Sequence, residues 1–188
     1  MHAHFGGARA QLVVQNYDAV GGDFSASLAH AALADGASRQ AFVTGLAAVV
    51  TADHWDGVVI DFEQVNRVDQ PGLVDLLTRL RAALPVGSRL MAAVPVAQAD
   101  NPTSQGYDLA AIAKTVDVIQ LMTYDQNDPT SSPGPLGSLK WMDAAVVSAL
   151  RVVPASQLQM GRRPTATPGA SHPRPRANPF PPHRLEPS

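Results

Sequence analysis

DGVVIDFE, residues 56–63, combines two signals that rarely share one segment. Five of its eight residues are apolar or glycine and three are acidic. A short run rich in β-branched residues reads as a buried strand. Burying an unpaired charge is costly, so the acids need a place outside the core. Strand parity supplies it, because side chains alternate faces and two residues advance about 6.6 Å. Val58, Ile60 and Phe62 share one apolar face that should pack under helices. Val59, Asp61 and Glu63 share the other, and the two acids fall at the strand's C-terminal end.

Outward from this stretch, apolar β-rich runs recur at 11–16 (QLVVQN), 89–96 (RLMAAVPV) and 116–124 (VDVIQLMTY), and 156–161 (SQLQMG) begins another. Helical patterns lie between them. Residues 38–50 carry a stripe of Phe42, Val43, Leu46 and Val50, with Ser38 expected as the N-cap. Residues 71–84 open on Pro71, which suits a first turn, and bury Leu73, Leu76, Leu77, Leu80 and Leu84. Residues 138–150 present Leu139, Met142, Ala145, Val146 and Ala149 as an inward face, and a shorter helix covers 107–115. Strands alternating with helices predict parallel βαβ units. A closed barrel and an open doubly wound sheet both fit that pattern. In either, ligands bind at the C-terminal ends of the strands. On 116–124 parity sends Ile119 and Leu121 toward the helices and Gln120, Met122 and Tyr124 toward the same side as Asp61 and Glu63.

The chain has 188 residues, enough for one domain or a domain with a tail. With a hydrophobic fraction of 45% it can build a core, and a formal net charge of −2 predicts neither nucleic acid nor a membrane surface as partner. No apolar run approaches the roughly 20 residues that span a bilayer. The first residues, MHAHFGGARAQ, lack the apolar segment of a secretory signal. Cysteine is absent, so disulfides and thiolate metal sites are excluded. The six histidines are scattered, and neither a metal nor a cofactor is expected. No serine elbow or phosphate-binding glycine loop occurs.

Most other acids read as caps or turn formers, including Asp18, Asp23, Asp100 and Asp128. Asp61 and Glu63 differ, being two residues apart on one face. Neighbouring carboxylates push their pKa values apart and can supply an acid and a base together. Asp125 fits either a turn before QNDP or a site. Tyr124 taken alone reads as packing, as do Trp55 and Trp141.

DGVVIDFE resembles the D-x-x-D-x-D-x-E signature of glycoside hydrolase family 18, the chitinase-like TIM barrels. LMTYD (121–125) resembles that family's M-x-Y-D motif on a later strand. The text around them is most similar to the bacterial branch with spore-cortex and peptidoglycan-associated members, over roughly residues 11–161. The resemblance implies a partial (β/α)8 barrel holding about strands three to seven. It implies retaining, substrate-assisted hydrolysis of β-linked N-acetylglucosamine glycans, chitin or peptidoglycan, without a cofactor. Glu63 would be the general acid, Asp61 would hold the acetamido N–H, and Tyr124 would bond the acetamido oxygen. Asp125 would contact a sugar hydroxyl, with Gln120 and Met122 also lining the substrate side. Asp56 would be structural. A bacterial envelope or secreted location is implied.

Two departures from the pattern matter. Val59 stands where the signature has its second Asp, so no like charge crowds Asp61 from that position. The first two strands and the last, with its sugar-stacking Trp, have no counterpart. Two further readings therefore accompany the hydrolase: a carbohydrate-binding relative without turnover, and an inactive gene fragment. Glu63 favours hydrolysis, and the missing strands favour the fragment. Residues 1–10 are expected to be a disordered end. From Gly161 to Ser188, eight of 28 residues are proline and five are arginine, which predicts a disordered tail over 162–188. Shifted by one base, the codons of Thr165–Gly169 can spell Tyr-Gly-Tyr-Ala-Trp, as the seventh strand of the family would run. The tail is therefore read as a frameshift product, against the plainer reading of a linker.

Overall fold

The computed structural model describes residues 4, 6–96, 105–127 and 134–161. The expected tail at 162–188, together with Asp100 and Asp128, lies outside the described residues. Five parallel strands form the main sheet: β1 (Gln11–Gln15), β4 (Gly57–Asp61), β5 (Arg89–Pro95), β6 (Val118–Met122) and β7 (Leu158–Gly161). A short antiparallel hairpin, β2 (Tyr17–Asp18) with β3 (Asp23–Phe24), follows β1.

The strand order is β1-β4-β5-β6-β7, so every crossover steps in the same direction. A doubly wound sheet reverses its order at a switch point and carries helices on both faces. Here the chain does not reverse, and one core cluster joins one face of the sheet to the helices. This is the arc of a (β/α) barrel, which settles what strand spacing left open.

Register shows how the faces divide. Val14, Ile60, Ala92, Ile119 and Leu158 form one row across all five strands. Every member lies in or against the helix-side core. The adjacent row, Val13, Val59, Met91 and Val118, points the other way. Phe62 completes the outer face of its strand and meets Phe42 edge to face at 5.8 Å between ring centres. The parity expected for 57–62 and 118–122 holds.

Among the described residues, five α-helices follow β1 in chain order: α1 (Ala26–Leu33), α2 (Gly36–Ala52), α3 (Gln70–Ala83), α4 (Leu109–Ala113) and α5 (Leu139–Ala149). Helix α3 buries Leu73, Leu76, Leu77 and Leu80, with Leu84 just past its end, as its spacing predicts. Helix α2 buries Val43, Leu46 and Val50. Its N-cap is Asp35, not Ser38: the Asp35 carboxylate accepts from the amides of Ala37 and Ser38 at 2.8 and 2.9 Å. Ser38 instead donates its hydroxyl to Asp35, at 2.7 Å. The apolar stripe begins a turn after the helix does, which drew the expected boundary too late. Leu139 also departs from expectation. It is 85% exposed at the start of α5, and only Ala149 of the expected stripe is fully buried.

Helix α1 was not expected. Ser25 caps it, and it docks on the start of α3. His30 Nδ1 bonds the buried Asp69 at 2.8 Å, and Gly72 leaves room for the Leu33 carbonyl, which a Cβ would strike. No helix among the described residues is long and apolar enough to cross a membrane.

Candidate active site

Asp61 ends β4, half-buried on the face away from the helices. Gln15 stands opposite it in the register, at the end of β1. The Gln15 amide donates to Asp61 Oδ2 at 2.7 Å. Asp61 Oδ1 is buried and has no hydrogen-bond partner among the described residues. Buried polar atoms are nearly always paired, so this oxygen is a ready acceptor, as are Gln11 Oε1 and Asp69 Oδ2 elsewhere among the described residues.

Glu63 follows just past the strand, and its backbone is held from two sides. The side-chain amide of Asn16 donates to the Glu63 carbonyl at 2.8 Å and accepts from the Glu63 N–H at 2.8 Å. The same amide donates to the carbonyl of Ser25 at 2.9 Å, and Asn16 is buried. Tyr107 brackets Glu63: its hydroxyl donates to the Phe62 carbonyl at 2.7 Å and accepts from the Val65 N–H at 3.4 Å. Burial raises the Tyr107 pKa well above the usual phenol range, and the charges of Glu63 and Asp61 push it further up. Gly106 lets its segment lie against the Val65 carbonyl, since a Cβ there would overlap it.

The later strand offers a second cluster. Tyr124 and Gln120 both border Gly161, at the end of β7. A Cβ on Gly161 would come within 3.0 Å of the Tyr124 ring and 3.4 Å of the Gln120 amide. Thr123, buried on the opposite parity, donates its hydroxyl to the Gly161 carbonyl at 2.6 Å. Met122 is buried, Gln120 and Tyr124 are half-buried, and Asp125 is exposed. Strand β5 stands between this cluster and the Asp61 end.

Both clusters end in the same backbone device. Gln64, next after Glu63, has φ 54°, and Asp125, next after Tyr124, has φ 57°. Left-handed non-glycine residues cost about 1–3 kcal/mol each and gather where a site over-determines the backbone.

Asp56 lies at the other end of β4. Its carboxylate accepts from the Ala10 N–H at 2.6 Å and from His4 Nε2 at 2.7 Å. The Ala10 amide, then His4, hold its pKa below the usual carboxylate value. Trp55 packs against the helix-side core. Trp141 borders a cavity of about 200 Å³ under α5, with Val94, Tyr107, Leu121, Ala145 and Ala149. That cavity is on the helix side of the sheet, away from Asp61.

The motif pair, the parallel strands and the single core face converge on one assignment. Residues 16–167 match the model for glycosyl hydrolases family 18. The chain belongs to this family. The match spans Asp61, Glu63 and Tyr124 and begins at Asn16. Among family relatives, the uncharacterized glycosylase YvbX of Bacillus subtilis (strain 168) is 28% identical over 153 residues, which cover 79% of this chain and 44% of YvbX. A chitinase from Chromobacterium violaceum ATCC 12472 superposes with a TM-score of 0.78 at 29% identity, over 86% of this chain and 51% of that one. The Bacillus cereus spore cortex-lytic enzyme SleL shares the fold, with a TM-score of 0.76 at 23% identity over 85% of this chain and 37% of SleL. The chain spans about half or less of these relatives' lengths.

The sequence picked out Asp61, Glu63, Gln120, Met122, Tyr124, Asp125 and Asp56 but missed Gln15, Asn16 and Tyr107. Gln15 and Asn16 interrupt an apolar strand with two consecutive amides, and that was the available signal. Val59 lies on the inner face between Val13 and Met91. The group that bonds Asp61 comes from β1 instead.

Proposed function

We propose that this chain hydrolyses a β-linked, N-acetylglucosamine-containing glycan of the chitin or peptidoglycan type, with retention and with help from the substrate's own acetamido group. The observation that carries this is the Asp61 carboxylate. One oxygen is occupied by Gln15 and the other is buried and, among the described residues, unpartnered. An N–H donor supplied by the substrate completes it, and an acetamido group brings one.

Glu63 then protonates the glycosidic oxygen as that bond breaks. The acetamido carbonyl oxygen attacks the anomeric carbon from the opposite face and forms a cyclic oxazolinium. Asp61 accepts the acetamido N–H and balances the charge that develops there. Tyr124 donates to the acetamido oxygen and fixes its angle of attack. Asp125 holds a sugar hydroxyl, and Gln120 and Met122 line the same face. Glu63, now a carboxylate, takes a proton from water as it opens the oxazolinium. Two inversions give net retention.

A second reading, sugar binding without turnover, is favoured by the open inner face, where Val13 is 53% exposed at the edge strand. Incubation with N-acetylated and fully deacetylated chitooligosaccharides distinguishes the two. Hydrolysis of the acetylated oligomer alone, with the β-anomer appearing first by NMR, supports the hydrolase. A ligand-raised melting temperature with no product supports the binder. Equal hydrolysis of both oligomers contradicts acetamido participation.

A further inference from the structure

We infer that Asn16 is a positioning residue for Glu63, fixing the backbone from which the proposed acid projects; this rests on the reading of Glu63 given above. Asn16 and Glu63 are 47 residues apart in sequence, yet one side-chain amide meets both backbone groups of Glu63, N–H and C=O, at 2.8 Å each. The second amide hydrogen goes to Ser25, and the Ser25 N–H returns to the Asn16 carbonyl at 3.0 Å. Asn16 thus closes the root of the β2–β3 hairpin and clamps the end of β4 in one residue.

The clamp is chemically specific. A neutral amide offers an acceptor and two donors at fixed angles. That matches one N–H and two carbonyls. No aliphatic or hydroxyl side chain of similar size makes all three bonds. By parity the Asn16 side chain points to the helix side while Glu63 points to the inner face. Asn16 therefore acts through the Glu63 backbone and not on the sugar. The preceding residue, Gln15, does the complementary task, bonding the Asp61 side chain on the inner face. Two consecutive amides at the end of β1 thereby hold the two acids at the end of β4, one by its side chain and one by its backbone. Immediately after the clamp the chain turns through the left-handed Gln64. Without the clamp, the strained turn is free to relax and carry Glu63 with it.

The test is kinetic, on the full chain with a chromogenic N-acetylglucosamine oligomer. Asn16→Ala should keep a cooperative melt, leave KM within about twofold, and lower kcat on the order of ten- to a hundredfold, as displacement of a catalytic group does. In a Glu63→Gln background, Asn16→Ala should cost nothing further, because the group it positions is gone. Asn16→Asp provides an independent variant if the alanine form does not fold. A protonated carboxyl mimics the amide, donating to one Glu63 group and accepting from the other, whereas a carboxylate repels the carbonyls. Its kcat should fall as pH rises through the new carboxyl's titration, a limb absent from the wild-type profile, at temperatures well below the melt.

An unchanged kcat in both variants, or an equal loss with and without Glu63→Gln, overturns the positioning role. A wild-type chain without turnover, or Glu63→Gln with full turnover, overturns the functional reading beneath it.

Discussion

Two neighbouring rows of the sheet, one residue apart, live in different worlds. Val14, Ile60, Ala92, Ile119 and Leu158 run under the helices, and Ile60 and Ile119 are at most 1% exposed. Val13, Val59, Met91 and Val118 face the other way, grading from half-exposed at the β1 edge to buried in the middle of the sheet. The outer row is closed by α2, α3 and α4. The inner face leads up to Asp61, Gln120 and Tyr124. On the proposed reading the difference separates stability from chemistry: the helix side holds the fold, and the inner rim carries the polar groups assigned to the substrate.

The largest expected effect sets adjacent residues of β4 against each other. Ile60→Ala should cost about 2–5 kcal/mol of stability, through lost transfer energy and a residual cavity. Val59→Ala, on the half-open face, should cost roughly half or less, since part of its side chain already meets water. Denaturant midpoints compare the two. Equal losses would mean that the inner face is packed as tightly as the outer.

Next come the polar groups of the inner rim. Asp61→Asn should slow an N-acetylated oligomer about 10²-fold or more, and Tyr124→Phe roughly tenfold, as loss of one transition-state hydrogen bond does. Neither should abolish the cooperative melt. If both do, these residues belong to the core after all.

The smallest effect is at the opposite end of β4. Asp56 is held below its ordinary pKa by the Ala10 amide and then by His4. A depressed carboxylate contributes stability above its unfolded value and loses it as pH falls through the lowered folded value. Protection of the Ala10 amide against hydrogen exchange should therefore weaken in that acid range. In Asp56→Asn that pH dependence should vanish, with turnover unchanged. Constant protection down to the lowest pH would show that Ala10 is held by something else.

Much of this was legible because the signals were local. Alternation in 57–62 and 118–122 assigned both faces correctly, and leucine spacing in 71–84 gave the buried side of α3. What escaped depends on partners distant in sequence. Asn16 reaches Glu63, Gln15 reaches Asp61, and Tyr107 reaches Phe62 and Val65, none of them within 40 residues. Helix α1 escaped for another reason: in ASLAHAAL, alanine carries much of the packing, and a small residue gives a weak stripe. The true cap, Asp35, is hidden in the sequence because Gly36, a poor helix former, follows it and the apolar stripe begins later. Strand spacing alone left barrel and doubly wound sheet open; the family motifs implied the barrel, and the strand order bears it out.

The central proposal is that Glu63 is the proton donor of the inner rim. Its most direct test compares the wild-type chain with Glu63→Gln on one chitooligosaccharide, measuring turnover, oligomer binding and melting together. The glutamine keeps the shape and the backbone bonds to Asn16 but cannot give up a proton. Turnover should fall about 10²–10⁴-fold, with binding and melting unchanged. A Glu63→Gln variant that cleaves the oligomer at the wild-type rate would contradict the assignment.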